Sequence, residues 1–178
     1  LIVTSIPFSN QYEYTSTYND YGFNEDNSKF FEQMDYLTPH LLRILQPGRI
    51  ACIHVKDLVI SGYKGGTCFQ TVVPFSDLSV LHFIKHGFKY CGRITVDTDV
   101  VRENNKSYRL GYSEMVKDGT KMSVGCPEYI LILRKEPSDQ SNSYADFPVL
   151  HDKQKYSLAR WQIDASGTWS SSGERLLC

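Results

Sequence analysis

No apolar run in the 178 residues reaches the roughly 18–20 that a membrane helix needs, so no membrane span is expected. The opening Leu1-Ile2-Val3 is too short for a secretory signal and has no basic lead. Its first residue is Leu rather than Met, which reads as a segment of a longer protein. The five cysteines, Cys52, Cys68, Cys91, Cys126 and Cys178, form no CxxC pair and are odd in number. Free thiols in a cytoplasmic protein are the expectation. A formal net charge of -1 excludes a global basic field, though not a local basic face. There is no internal repeat and no low-complexity tract.

What is present is ordinary for a globular chain, with 41% hydrophobic and 22% charged residues, and one domain is the default. Aromatics are high at 13%, which suits a packed core or a surface that stacks on rings. Leu1 to Ser5 reads as a short buried strand that Pro7 ends. Ser9 to Asn27, with Gln11, Tyr12, Tyr14, Tyr18 and Tyr21, reads as an ordered loop. Phe30, Met34, Leu37, Leu41 and Leu45 keep helical spacing, with Asn27 or Ser28 as cap, Pro39 as a break signal and Pro47-Gly48 as the end. Arg49 to Val55 reads as a strand buried on both faces, as in a parallel sheet.

A loop with Gly62, Gly65 and Gly66 follows. The next helix is expected from about Ser76 to His86, with Leu78, Leu81 and Ile84 on its buried face and Gly87 as its stop. Phe88 to Val96 and Tyr129 to Leu133 are two further strands. The stretch 137–144 is rich in Ser, Asn and Asp and reads as a linker or flexible loop. Trp161 and Trp169 are the anchors expected in the tail. This order predicts an α/β layered sheet, with the last two strands antiparallel because no helix connects them.

Ser5-Ile6-Pro7-Phe8 falls at the carboxyl end of a predicted parallel strand, where open α/β sheets bind ligands. A strand end with a packing aromatic would use the same four residues. Preceded by Thr4, they resemble the Asp/Asn/Ser-Pro-Pro-aromatic motif of amino-directed DNA methyltransferases, with Ile6 in place of the first proline. Leu45-Gln46-Pro47-Gly48-Arg49 before a strand is similar to that family's L-x-P-G-G segment, with Arg49 in place of the second glycine. The helix ending in Gly87-Phe88 and the run Glu128 to Lys135 resemble its later elements. Ser9 to Tyr14 and Asp99 to Asn105 look like a phage or prophage branch.

The resemblance implies a partial Rossmann-like sheet of the S-adenosylmethionine-dependent methyltransferases, mostly parallel with an antiparallel pair near the end. Its motif order would be β-type. The activity implied is methyl transfer to cytosine N4 or adenine N6 in double-stranded DNA, in a restriction-modification or phage setting. The catalytic residues carried over are Ser5, Ile6, Pro7 and Phe8. Ser5 Oγ and the Ile6 carbonyl would accept the amine hydrogens, and Phe8 would stack on the flipped base. Thr4 and Ser5 are carried over as cofactor contacts. The family's Asp-Pro-Phe-x-Gly-x-Gly cofactor segment does not occur here. Residues 1–136 would then be the catalytic-motif part, with 137–178 leading to a cofactor-binding part outside the chain. The first strand would be a sheet edge awaiting further strands or a partner subunit.

Residues 97–127 carry a modest basic excess and read either as a DNA-recognition insert or as a solvated loop. Arg102, Asn104, Asn105, Lys106, Arg109, Lys117 and Lys121 are its candidate DNA contacts. His82 and His86 have i, i+4 spacing, but the chain offers no visible third ligand. Two solvent-side histidines and no metal are expected. Lys56-Asp57 is either a site contact or a turn salt bridge. Two other readings compete with the enzyme. One is a non-catalytic DNA-binding module or a subunit of a split methyltransferase. The other is an enzyme methylating an amine or amide in protein or RNA.

Overall fold

A computed structural model describes residues 1–98 and 126–150. The described residues fall in two units, Leu1–Asp146 and residues 147–150, and the fold below is that of the first. In chain order it contains β1 (Ile2–Ser5), α1 (Asn27–Ile44), β2 (Ile50–Lys56), β3 (Leu58–Ile60), α2 (Gly62–Gly65), β4 (Thr71–Val73), α3 (Phe75–Lys85), β5 (Lys89–Val96) and β6 (Glu128–Arg134). The small β3–β4 hairpin and α2 occupy the region expected as loop. No described helix is long and apolar enough to cross a membrane. Cys52, Cys68, Cys91 and Cys126 are free thiols.

Four strands form one sheet in the order β1-β2-β6-β5. β1 and β2 pair parallel, with Ser5 opposite His54. β6 lies antiparallel between β2 and β5 and pairs with both. The expected antiparallel pair is therefore present, but the sheet is mixed rather than mostly parallel. The cause is that β6 lies between β2 and β5 and runs opposite to both. β1 occupies one end of the order, and Val3 is 71% exposed, so the first strand is not the buried strand its composition suggested.

The burial of β2 alternates. Ala51, Ile53 and Val55 are buried, while Cys52 and His54 are only partly covered. Expected burial on both faces is corrected: α1 and α3 pack against the face that carries Ala51, Ile53, Val55, Leu131 and Leu133. Phe30, Met34, Phe75 and Phe83 fill the space between these helices and the sheet.

α1 starts one residue earlier than expected. Asp26, rather than Asn27 or Ser28, is the cap, and its Oδ1 accepts the Lys29 N–H at 2.9 Å. The helix runs through Pro39 unbroken. At its far end the Lys135 ammonium donates to the Leu42 and Leu45 carbonyls, each at 2.8 Å. A cation here satisfies orphan carbonyls and complements the helix dipole. Lys135 thereby ties the end of β6 to α1. The segment after it, expected as a linker, is held by Arg134 Nη2 on the Ser143 carbonyl (2.5 Å) and Ser138 on Asp146.

α3 has no side-chain cap of its own, because Pro74 precedes it. Asp57, just past β2, accepts the Ser76 N–H at 2.9 Å instead. That gives Asp57 a structural role as the cap of α3. Gly87, at φ +95°, ends the turn after α3 as expected. The buried face of α3 is a correction. It carries Phe75, Ser76, Ser79, Val80, His82 and Phe83, whereas Leu81 is 63% and Ile84 45% exposed. His82 is also not a solvent-side residue. It is 6% exposed and hydrogen-bonds Thr38 Oγ1 at 2.8 Å. Burial, with the nearby His86, pushes its pKa down to about 4.

Candidate active site

Parallel pairing places the carboxyl ends of β1 and β2 side by side, and antiparallel β6 starts at the same edge. Three polar residues therefore meet from three strands. Ser5 Oγ lies 3.0 Å from His54 Nδ1, and His54 Nε2 lies 2.8 Å from Glu128 Oε2. Lys56 Nζ is 3.7 Å from the other Glu128 oxygen. A carboxylate only accepts hydrogen bonds, so His54 Nε2 carries the proton. With a neutral imidazole, Nδ1 would accept from the Ser5 hydroxyl, which also lies 3.4 Å from the Ile6 carbonyl oxygen. The remaining Ser5 Oγ lone pairs would then be open to an incoming N–H.

Beyond Ser5 the chain turns into a cleft of about 310 Å³ lined by Ser5, Ile6, Pro7, Phe8, Tyr12 and Tyr14. Ile6 is 4% exposed and belongs to the core. Its side chain anchors the loop by burial, where a proline would restrict it by ring closure. Phe8 meets His54 edge-on, with ring centroids 5.5 Å apart. Tyr12 and Tyr14 belong to the loop 9–26, which Asp20 organises. Its carboxylate accepts the N–H groups of Tyr14 (2.6 Å), Thr15 (2.7 Å) and Gly22 (2.8 Å). These backbone donors, Thr15 and Gly22 foremost, hold the Asp20 carboxyl below its usual pKa.

Gly22 sits against this same loop. A Cβ there would fall 1.9 Å from the Tyr12 carbonyl oxygen. Gly22→Ala is expected to displace the Tyr12 wall of the cleft and to cost about 1–3 kcal/mol in urea unfolding. Unchanged stability would mean that the loop yields freely.

The four motif residues Ser5 to Phe8 all line this cleft. Thr4, named with Ser5 as a cofactor contact, is half-buried, and its hydroxyl sits 3.4 Å from the Ser5 carbonyl. His54 and Glu128 were not singled out as site residues from sequence. Their signal was a lone histidine inside the apolar run Ala51-Cys52-Ile53-His54-Val55 and an acidic residue leading the last strand. Arg102, Asn104, Asn105, Lys106, Arg109, Lys117 and Lys121, with Trp161 and Trp169, lie outside the described residues.

The fold has solved counterparts. A protein of Thermus thermophilus named "Putative DNA Modification Methylase", in complex with S-adenosyl-L-methionine, superposes with a TM-score of 0.57 at 21% identity. The match covers 92% of this chain and 54% of that one. Two further structures of the same protein, one a selenomethionine derivative, give TM-scores of 0.54 and 0.53, each at 21% identity. These cover 92% of this chain and 53% and 54% of theirs. The fold is shared. The chain spans about half the length of these structures. No protein-family model matches it, and neither does any curated protein.

Proposed function

We propose that this chain is the catalytic-motif part of a cytoplasmic DNA methyltransferase acting on an exocyclic base amine, cytosine N4 or adenine N6, after base flipping. The observation that carries the reading is the Ser5–His54–Glu128 chain ending at a cleft walled by aromatic rings. The named activity of the structural counterparts agrees with it. An exocyclic amine is a poor nucleophile because its lone pair is delocalised into the ring. Ser5 Oγ, with its own proton committed to His54, would accept one amine hydrogen. The Ile6 carbonyl would accept the other. Together they would turn the nitrogen lone pair out of the ring plane. Phe8 would stack on the extruded base, a contact worth about 1–3 kcal/mol.

S-adenosylmethionine would supply an electrophilic methyl group. Among the described residues the cleft offers hydroxyls and rings but no Gly-rich loop or carboxylate suited to that donor. Thr4 and Ser5 remain its proposed contacts, and most of its binding is assigned to other parts of the protein. The segment 97–127 is proposed as the recognition insert, with Arg102, Asn104, Asn105, Lys106, Arg109, Lys117 and Lys121 on DNA phosphates and base edges. A phage or restriction-modification enzyme is the setting proposed.

The test is transfer of labelled methyl from S-adenosylmethionine to double-stranded DNA by the full-length protein, with RNA as competitor. Labelled DNA carrying N4-methylcytosine or N6-methyladenine is expected. Absence of transfer to any DNA, with cofactor demonstrably bound, overturns the reading. The lack of a cofactor-binding segment among the described residues favours one second reading, a non-catalytic DNA-binding module or a subunit of a split methyltransferase. Tight DNA binding without cofactor binding would select it.

A further inference from the structure

Away from the cleft, α1 and α3 bring together three side chains able to hold a metal ion. Asp35 projects from the middle of α1. His82 and His86 follow one another by a single turn at the end of α3. One ligand atom from each lies within 4.8 Å of the other two. His86 Nε2 is 2.6 Å from Asp35 Oδ1, and His82 Nδ1 is 3.6 Å from the same oxygen. Ligand atoms around a tetrahedral zinc sit about 3.3 Å apart, given bonds of about 2.0–2.1 Å. The two distances from the Asp35 oxygen are each within an ångström of that spacing, and the two histidines present ligand nitrogens no more than 4.8 Å apart.

The surroundings suit a metal. His82 Nε2 is bonded to Thr38 Oγ1 at 2.8 Å, and Thr38 is fully buried. That hydrogen bond is the kind that orients a ligating imidazole and keeps the opposite nitrogen free for the ion. Phe31 packs on the His82 ring, with centroids 5.1 Å apart, and restricts its rotation. Lys85 Nζ donates to both Asp35 oxygens, at 3.1 Å to the proposed ligand Oδ1 and 3.0 Å to Oδ2, and would have to withdraw for an ion to bind; its side chain is 64% exposed and has water to withdraw into. A cleft of about 420 Å³ bordered by Asp35, Glu32 and Lys85 gives solvent access for entry and for a fourth, water ligand. Two imidazoles and one carboxylate form a borderline donor set, which favours zinc over magnesium or calcium.

We propose that Asp35, His82 and His86 form a zinc site that staples α1 to α3. It uses no residue of the proposed active site, so it stands or falls independently of the methyltransferase reading. The test is a titration of chelator-stripped full-length protein with zinc(II) and with cobalt(II), in a thiol-free reductant. One ion per chain is expected. The cobalt spectrum should show low-symmetry visible bands and no thiolate charge-transfer band, which excludes the cysteines as ligands. His86→Gln and Asp35→Asn sit at partly exposed positions and should fold, as circular dichroism will check. Each is expected to weaken binding by at least about 10-fold, the loss typical of even a supporting partner. Zinc should raise the melting temperature of the parent protein and not that of either variant. Three results would overturn the site: no saturable binding, thiolate bands in the cobalt spectrum, or unchanged affinity in both variants.

Discussion

Ser5→Ala is expected to lower single-turnover methyl transfer to DNA by about 10²–10³-fold, the range for loss of one preorganised hydrogen-bonding group. The hydroxyl is the only atom of Ser5 that this change removes, and the exposed strand end loses little packing. Stability should therefore stay within about 0.5 kcal/mol. His54→Ala tests whether the three residues act as a unit. In the proposed arrangement His54 would hold the Ser5 proton, through contacts at 3.0 Å to Ser5 and 2.8 Å to Glu128. Removing it should cost a large part of the same activity, and the Ser5→Ala/His54→Ala double variant should lose little more than Ser5→Ala alone. Glu128→Gln keeps the shape but can present an N–H to His54, which would reverse the tautomer. Transfer should fall with little change in DNA binding. Purely additive losses across the cycle would show that Ser5 acts without His54, and full activity in Ser5→Ala would remove it from the chemistry.

Phe83→Ala is expected to cost about 3–5 kcal/mol of unfolding free energy. Phe83 is fully buried and meets Phe88 edge-on at 5.4 Å. The cavity it leaves is bounded by sheet and helix, neither of which can collapse readily. Leu81→Ala on the same helix should cost less than about 0.5 kcal/mol, because Leu81 is 63% exposed. Urea unfolding of the two variants side by side discriminates the faces of α3. If Leu81→Ala were the costlier change, the helix would be packed through Leu78, Leu81 and Ile84 instead.

That contrast shows how far local pattern reaches. α1 was legible because Phe30 and Met34 keep helical spacing over 18 residues, and both are fully buried. α3 is only 11 residues long and apolar at Leu78, Val80, Leu81, Phe83 and Ile84, so two faces compete. The winning face includes Ser76, Ser79 and His82, polar residues that a hydrophobicity pattern places outside. They are buried because partners satisfy them: Ser79 on the Phe75 carbonyl at 2.8 Å and His82 on Thr38 at 2.8 Å. The strand Ile50–Lys56 was legible as a strand, yet apolar residues on both faces suggested a fully buried one. Half-covered Cys52 and His54 show that apolar composition does not by itself bury a face.

The motif at Ser5 to Phe8 is read from four adjacent residues, so sequence alone located it at the end of a strand. Its partners are another matter. His54 is 49 residues from Ser5, and Glu128 is 74 residues from His54. Nothing local specifies that the strand beginning at Glu128 inserts beside β2 rather than at the outer edge of β5. That choice is made by cross-strand pairing and by burial of Leu131 and Leu133 beneath the helices. The same holds for Asp35, which reaches His82 and His86 only when α1 and α3 pack on one face of the sheet. By itself the sequence determined the kinds of the longer elements, most of their borders and the position of the Ser5 to Phe8 loop at a strand end, because those depend on propensity and short-range pattern. The tertiary structure alone decided the strand order, the buried face of α3 and the companions of Ser5, because contacts between residues distant in sequence arise only from register and packing.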